Sequence, residues 1–159
     1  MKKFLICFLS IGFLSVLSCQ KAPTPVDIEA EKALIKAVLE SYVKSIEDED
    51  MELYAQNMAH NPEMVNFGGF GDPIIGWDAL KKAIKGQNEA LSETKITVSD
   101  LKIHVSEDGK FGWATCLWDL KAIMGENPIE LPIRCTWILE KQENRWIIVH
   151  WHKSMAMTG

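Results

Sequence analysis

Only two arginines, Arg134 and Arg145, occur in the 159 residues, and 17 basic side chains face 22 acidic ones. With a formal charge of −5 there is no basic stripe, so nucleic acid is excluded as a partner, because neutralising phosphates takes clustered Lys and Arg. Long apolar runs are also missing. The longest, Phe4 to Leu17, is broken only by serines and small residues and falls short of the ~20 residues a spanning helix needs. Internal repeats, heptads and low-complexity tracts are absent. At 47% hydrophobic and 25% charged, the composition is that of one globular domain and excludes disorder, collagen and coiled coil.

Several site signatures are lacking as well. Gly68-Gly69-Phe70-Gly71 is followed by no Lys-Ser or Lys-Thr, so it is no phosphate loop. Glu47 to Asp50 lacks the spacing of a calcium loop. His150 and His152 sit at strand spacing with no further ligand nearby, which is too few for a structural metal. No cofactor and no metal are therefore expected. Composition names no reaction.

Met1-Lys2-Lys3 followed by the apolar run and Ser18-Cys19 has the order of a secretory signal. Val16-Leu17-Ser18-Cys19 resembles a bacterial lipobox, which predicts residues 1–18 as a lipoprotein signal peptide and Cys19 as the lipidated residue. Cleavage there discards Cys7, Lys2 and Lys3 and moves the formal charge from −5 to −7. Residues 19–26, with Pro23 and Pro25, read as a tether. The expected location is the cell envelope, lipid-anchored, at the periplasmic face of the outer membrane in a Gram-negative cell, since Gln20 is not the Asp that favours inner-membrane retention. The folded domain then spans residues 27–157.

Asp27 is a natural N-cap, and Ile28, Ile35, Val38, Tyr42 and Ile46 recur near helical spacing behind it. Asp50 caps a second, shorter helix from Met51 to about Met58, which Asn61-Pro62 ends. Met64 to Phe67 reads as a short strand. Gly76-Trp77-Asp78 opens a third helix carrying Leu80, Ile84 and Leu91. From Lys95 the period becomes two: strands are expected at Leu101–Val105, Phe111–Ile123, Ile129–Lys141 and Trp146–Lys153. Helices followed by a meander make an α+β domain with N-terminal helices packed on a curved antiparallel sheet.

Turn chemistry yields a register. A three-residue Glu107-Asp108-Gly109 loop sets Ile103 opposite Trp113; a two-residue Gly125-Glu126 turn sets Cys116 opposite Cys135 and Leu117 opposite Arg134. A three-residue Gln142-Glu143-Asn144 loop sets Arg134 opposite His152 and Thr136 opposite His150. One face then gathers Trp113, Thr115, Asp119, Arg134, Thr136, His150 and His152, and is expected under the helices. The other carries Trp118, Trp137 and Trp151, and so large an apolar face predicts a homodimer built through it. Cys116 and Cys135 are either a cross-strand disulfide or two packed thiols.

The ending Arg134-Cys135-Thr136 with Trp146-Ile147-Ile148-Val149-His150-Trp151-His152-Lys153-Ser154, the first helix with Tyr42, the Asp50 to Tyr54 helix start and Gly76-Trp77 resemble the nuclear transport factor 2-like superfamily, and within it the SnoaL-like group. The resemblance implies a cone-shaped α+β fold with an interior cavity, walled here by Tyr42, Tyr54, Trp77 and Trp113. Arg134 has two readings: a cavity guanidinium that receives an anion, or half of an ion pair with Asp119. Asp119 and His152 are the candidate general bases. Function is left open by the fold: a binding protein for a small amphipathic or anionic ligand, an isomerase, cyclase or hydratase acting on a small hydrophobic carbonyl compound, or a dimeric assembly module of an envelope complex.

Overall fold

A computed structural model of the chain describes residues 25–156. The signal sequence, Cys7, Cys19 and most of the tether lie outside the described residues. Of the tether, Val26 is half-buried against Gly109 in the first hairpin of the main sheet, so the chain enters the domain at that end.

Helix α1 (Ile28–Glu47) starts where the Asp27 carboxylate accepts the Ala30 N–H at 3.1 Å. Its buried stripe is Ile35, Leu39, Tyr42, Ser45 and Ile46, the three-to-four spacing that turns one face to a core. Asp50 accepts from Glu52 N and Leu53 N and starts α2 (Met51–Asn57), which buries Tyr54. A two-stranded ribbon follows, β1 (Val65–Asn66) with β2 (Ile74–Ile75). Helix α3 (Trp77–Ala90) begins behind Gly76, whose φ is 81° and where a Cβ would stand 2.8 Å from the Pro62 carbonyl oxygen. Only glycine meets both demands.

The main sheet is a meander of β3 (Leu91–Val105), β4 (Phe111–Met124), β5 (Asn127–Gln142) and β6 (Arg145–Ser154), in that order. β3 begins ten residues before the expected Leu101 and claims Leu91 from the helix. Asn66 ties the ribbon to β6: its Oδ1 accepts the Trp151 N–H at 2.8 Å, and Phe67 pairs alongside His152. The free edge of β6 is thereby covered. Pro128 and Pro132 lie on β5 ahead of Arg134, where pairing with β6 begins, so their missing N–H groups break no ladder.

The Gly125-Glu126 turn forms as expected, with Gly125 left-handed, and Cys116 opposes Cys135 and Leu117 opposes Arg134. The other two registers are corrected. Asp108 accepts from Ser106 Oγ and Lys110 N, which draws Lys110 into a longer loop and pairs Ile103 with Ala114 instead of Trp113. Glu143 and Asn144 are both left-handed, so the last loop has two residues and Gln142 meets Arg145. An irregularity at Val149 then sets Arg134 opposite Ser154 and Thr136 opposite His152.

Two left-handed residues in β3, Glu93 and Asp100, fall at its register shifts and bend the sheet around the helices. The face they curl inward carries Trp118, Trp137 and Trp151, 2%, 1% and 3% exposed. This overturns the expected sidedness: the three tryptophans are roofed by α1 and α2 within one chain, and they do not form the open apolar face from which a homodimer was expected. The outward face holds Phe111, Trp113 and Leu117, each about two-fifths exposed.

Candidate functional site

Of the residues expected to line a cavity, Tyr42 and Tyr54 are fully buried under the helices, and Trp77 is half-buried between the Tyr54 and His60 rings. The remainder lie on the outward face. Trp113 stacks on His104; Thr115 is exposed; Thr136 opposes His152. His150 is half-buried, with Nδ1 2.6 Å from the Val65 carbonyl oxygen, and His152 is exposed at the edge of the Phe67 ring. Arg134 is exposed and donates to the Met155 carbonyl oxygen at 2.8 Å. Asp119, its side chain 42% exposed, lies 3.6 Å from Lys121. Among the described residues Arg134 pairs with no carboxylate, and it stands on the opposite face of the sheet from the cavity between α1 and the sheet. Asp119 is half-buried and His152 exposed, both on the outward face.

The inward face holds a different constellation. Cys116, Cys135 and Lys153 form one transverse row across β4, β5 and β6, because Cys116 pairs with Cys135 and Cys135 with Lys153. Lys153 is 9% exposed, and its Nζ stands 4.5 Å from the Trp118 ring centre, 4.7 Å from Trp151 and 5.3 Å from Tyr42. Among the described residues no carboxylate lies within ion-pair distance of it. Burial among rings pulls the amine down to about 8, against an ordinary 10.5.

Around it, the hydroxyls of Tyr42 and Tyr54 and the indole N–H groups of Trp118, Trp137 and Trp151 are buried without a hydrogen-bond partner among the described residues. Burial pushes both phenols above their usual range. Five unpartnered polar groups in one core are uncommon, since buried polar groups are nearly always bonded. Together with the ammonium, they concentrate donors in this part of the core. The two thiols are free. The Cys135 thiol beside it, with Lys153 assisting, lowers Cys116 below the ordinary thiol range, and the same contact together with burial raises Cys135.

A cavity of about 480 Å³ opens between α1 and the sheet. Its floor is Cys116, Trp118 and Trp137; Leu39, Val43 and Leu101 wall it; Lys36, Glu40, Lys44 and Glu47 stand around it. Lys36 pairs with Glu40 and Lys44 with Asp48, while Glu47 accepts the Ile96 N–H, so these charges are already engaged. Lys153 lies behind the floor, on the Trp118 ring. Sequence reasoning missed it because alternation puts Lys153 on the same face as Trp151, and that face was expected to lie outside the helices, where a lysine attracts no attention. The signal that points to it is a lone Lys two residues after Trp151, on the same alternation as that tryptophan.

With the geometry established, the likenesses of the chain are informative. Three solved structures illustrate them. A nuclear transport factor 2-like superfamily protein from Salmonella enterica serovar Typhimurium LT2 superposes with a TM-score of 0.74 at 24% identity, covering 82% of this chain and 95% of that one. A protein of the same family named as a dehydratase, from Streptomyces avermitilis, gives 0.73 at 10% identity, with 82% and 99% covered. A ketosteroid isomerase-like protein from Erwinia carotovora atroseptica gives 0.67 at 13% identity, with 80% and 98% covered. At these identities the likeness establishes the fold alone. No curated protein matches the sequence. The SnoaL-like domain pattern matches residues 35–158, most of the chain, and so the chain belongs to the SnoaL-like domain family.

Proposed function

We propose that this chain binds a small amphipathic anion in the cavity between α1 and the sheet. The observation that carries the reading is Lys153: a buried ammonium that meets no carboxylate among the described residues, set behind the cavity floor beside five donors that find no partner among them. A lone buried cation is costly, and an anionic head group near Cys116 and Trp118 would supply the missing charge. The apolar body then lies against Leu39, Val43, Leu101 and Trp137, the mixture of apolar wall and few polar groups usual for small-ligand sites. Lipid anchoring at Cys19 in the envelope is part of the same proposal; it is tested by the mass of the N-terminal peptide, which should lose its acyl groups in Cys19→Ser.

The binding test uses 8-anilinonaphthalene-1-sulfonate and decanoate as probes, with native mass spectrometry for stoichiometry. Parent protein should bind one molecule; Leu101→Trp, which fills the cavity, should abolish binding; Lys153→Met should weaken it by at least about tenfold, the loss of one favourable charge contact. Equal affinity in all three proteins overturns the reading. The catalytic alternative, an isomerase, cyclase or hydratase, has no support from Asp119 or His152, which lie on the outward face.

A further inference from the structure

The row Cys116–Cys135–Lys153 goes beyond non-covalent binding. We propose that Cys116 and Cys135 are a redox-active dithiol, with Cys116 as the nucleophile for a small hydroperoxide entering by the α1–sheet cavity, Cys135 as the resolving thiol and Lys153 as the positioning cation. Three observations carry it. Cys116 lines the cavity and Cys135 does not, which makes the two thiols unequal in access. They are directly opposed on adjacent antiparallel strands, where Cα atoms stand about 4.5–5.5 Å apart, inside the range a disulfide spans. Lys153 closes the row with no carboxylate to neutralise it among the described residues, so its field falls on the thiols. A thiolate is the nucleophile in such chemistry, and a neighbouring cation raises its fraction.

The step balances. The Cys116 thiolate attacks one peroxide oxygen, the O–O bond breaks, and the leaving alkoxide takes a proton to become an alcohol, leaving a sulfenic acid on Cys116. Cys135 sulfur then displaces the sulfenic oxygen, its own proton leaving with that oxygen as water, and the disulfide forms. Two thiols lose two electrons in all, and the hydroperoxide gains them. Trp118 and Trp137 flank Cys116 on the floor and restrict approach to small oxidants.

Trypsin separates the relevant thiols: Cys116 falls on residues 111–121, Cys135 on 135–141, and Cys7 with Cys19 on 4–21. The full chain is treated with cumene hydroperoxide and with hydrogen peroxide at pH 7, quenched with iodoacetamide and mapped by mass spectrometry. The expected product is peptide 111–121 linked to 135–141, formed faster in native protein than in guanidinium. With dimedone present, Cys135→Ser should accumulate the adduct on Cys116, and Cys116→Ser should leave Cys135 unlabelled. Lys153→Met should slow oxidation about tenfold, while Lys153→Arg restores most of the rate. The proposal is overturned by native thiols that react no faster than unfolded ones, by dimedone on Cys135, or by a Lys153→Met rate equal to the parent's. Because the readout is a covalent mass and not ligand affinity, its failure leaves the binding reading standing, and the converse also holds.

Discussion

Replacing Lys153 with methionine should make the protein more stable, an unusual outcome for a fully buried side chain. The ammonium is drawn from about 10.5 to about 8 by burial, a fall worth about 3 kcal/mol between the two protonation states. The pKa is lowered on folding, so the unfolded chain holds more protons between these values and stability rises with pH across that window. The contribution is complete above about 10.5 and is lost as pH falls through 8. At pH 7 the folded protein therefore carries most of this cost. Three aromatic rings face the ammonium, and their attraction, about 0.5–2 kcal/mol in all, offsets part of it. Met keeps the volume of the stem and removes the charge. The expected gain at pH 7 is about 1–3 kcal/mol, or several degrees in Tm. Urea unfolding of parent and variant at pH 7, 8, 9 and 9.5, followed by circular dichroism, measures it. The difference between the curves cancels groups common to both proteins, and it should shrink as pH rises. A variant less stable than its parent at pH 7, or a gap that does not change with pH, would refute the account of Lys153 as an unpaired buried cation.

Four further changes test the architecture. Asn66→Ala removes the acceptor of the Trp151 N–H and should cost about 1–3 kcal/mol by leaving a buried donor unmet, read by thermal unfolding. Gly76→Ala forces a side chain into a left-handed residue against the Pro62 carbonyl and should cost about 1–3 kcal/mol, again by unfolding. Glu31 accepts from Lys141 at 2.5 Å and from Trp146 at 2.7 Å. The Lys141 contact holds its carboxyl below the usual range, so this contribution is present above the unfolded carboxylate pKa and fades as pH falls through the lower folded one; Glu31→Gln should flatten the acid limb of the stability curve. Arg134→Ala should change neither probe binding nor Tm by more than a small margin, since the guanidinium is exposed on the outward face; a lost ligand would return Arg134 to the site.

Much of this protein is determined locally. Asp27 and Asp50 cap helices because a carboxylate reaches N–H groups two or three residues on, and the register of β4 and β5 follows from Gly125 in one turn. The same locality explains the failures. Whether the loop after Ser106 has three or four residues depends on where the Asp108 carboxylate bonds, and the Val149 and Asp100 irregularities leave no trace in apolar periodicity. Alternation sorts strand residues into two faces; it does not say which face is roofed. That was decided when the stripe of α1 settled over Cys116, Trp118 and Trp137 and left Trp113 and Arg134 outside. Burying three tryptophans and two tyrosines under helices removes more apolar surface from water than burying arginine, threonine and histidine could. The cost of the better choice is one lysine confined with them, and only the assembled sheet brings it into line with the two thiols.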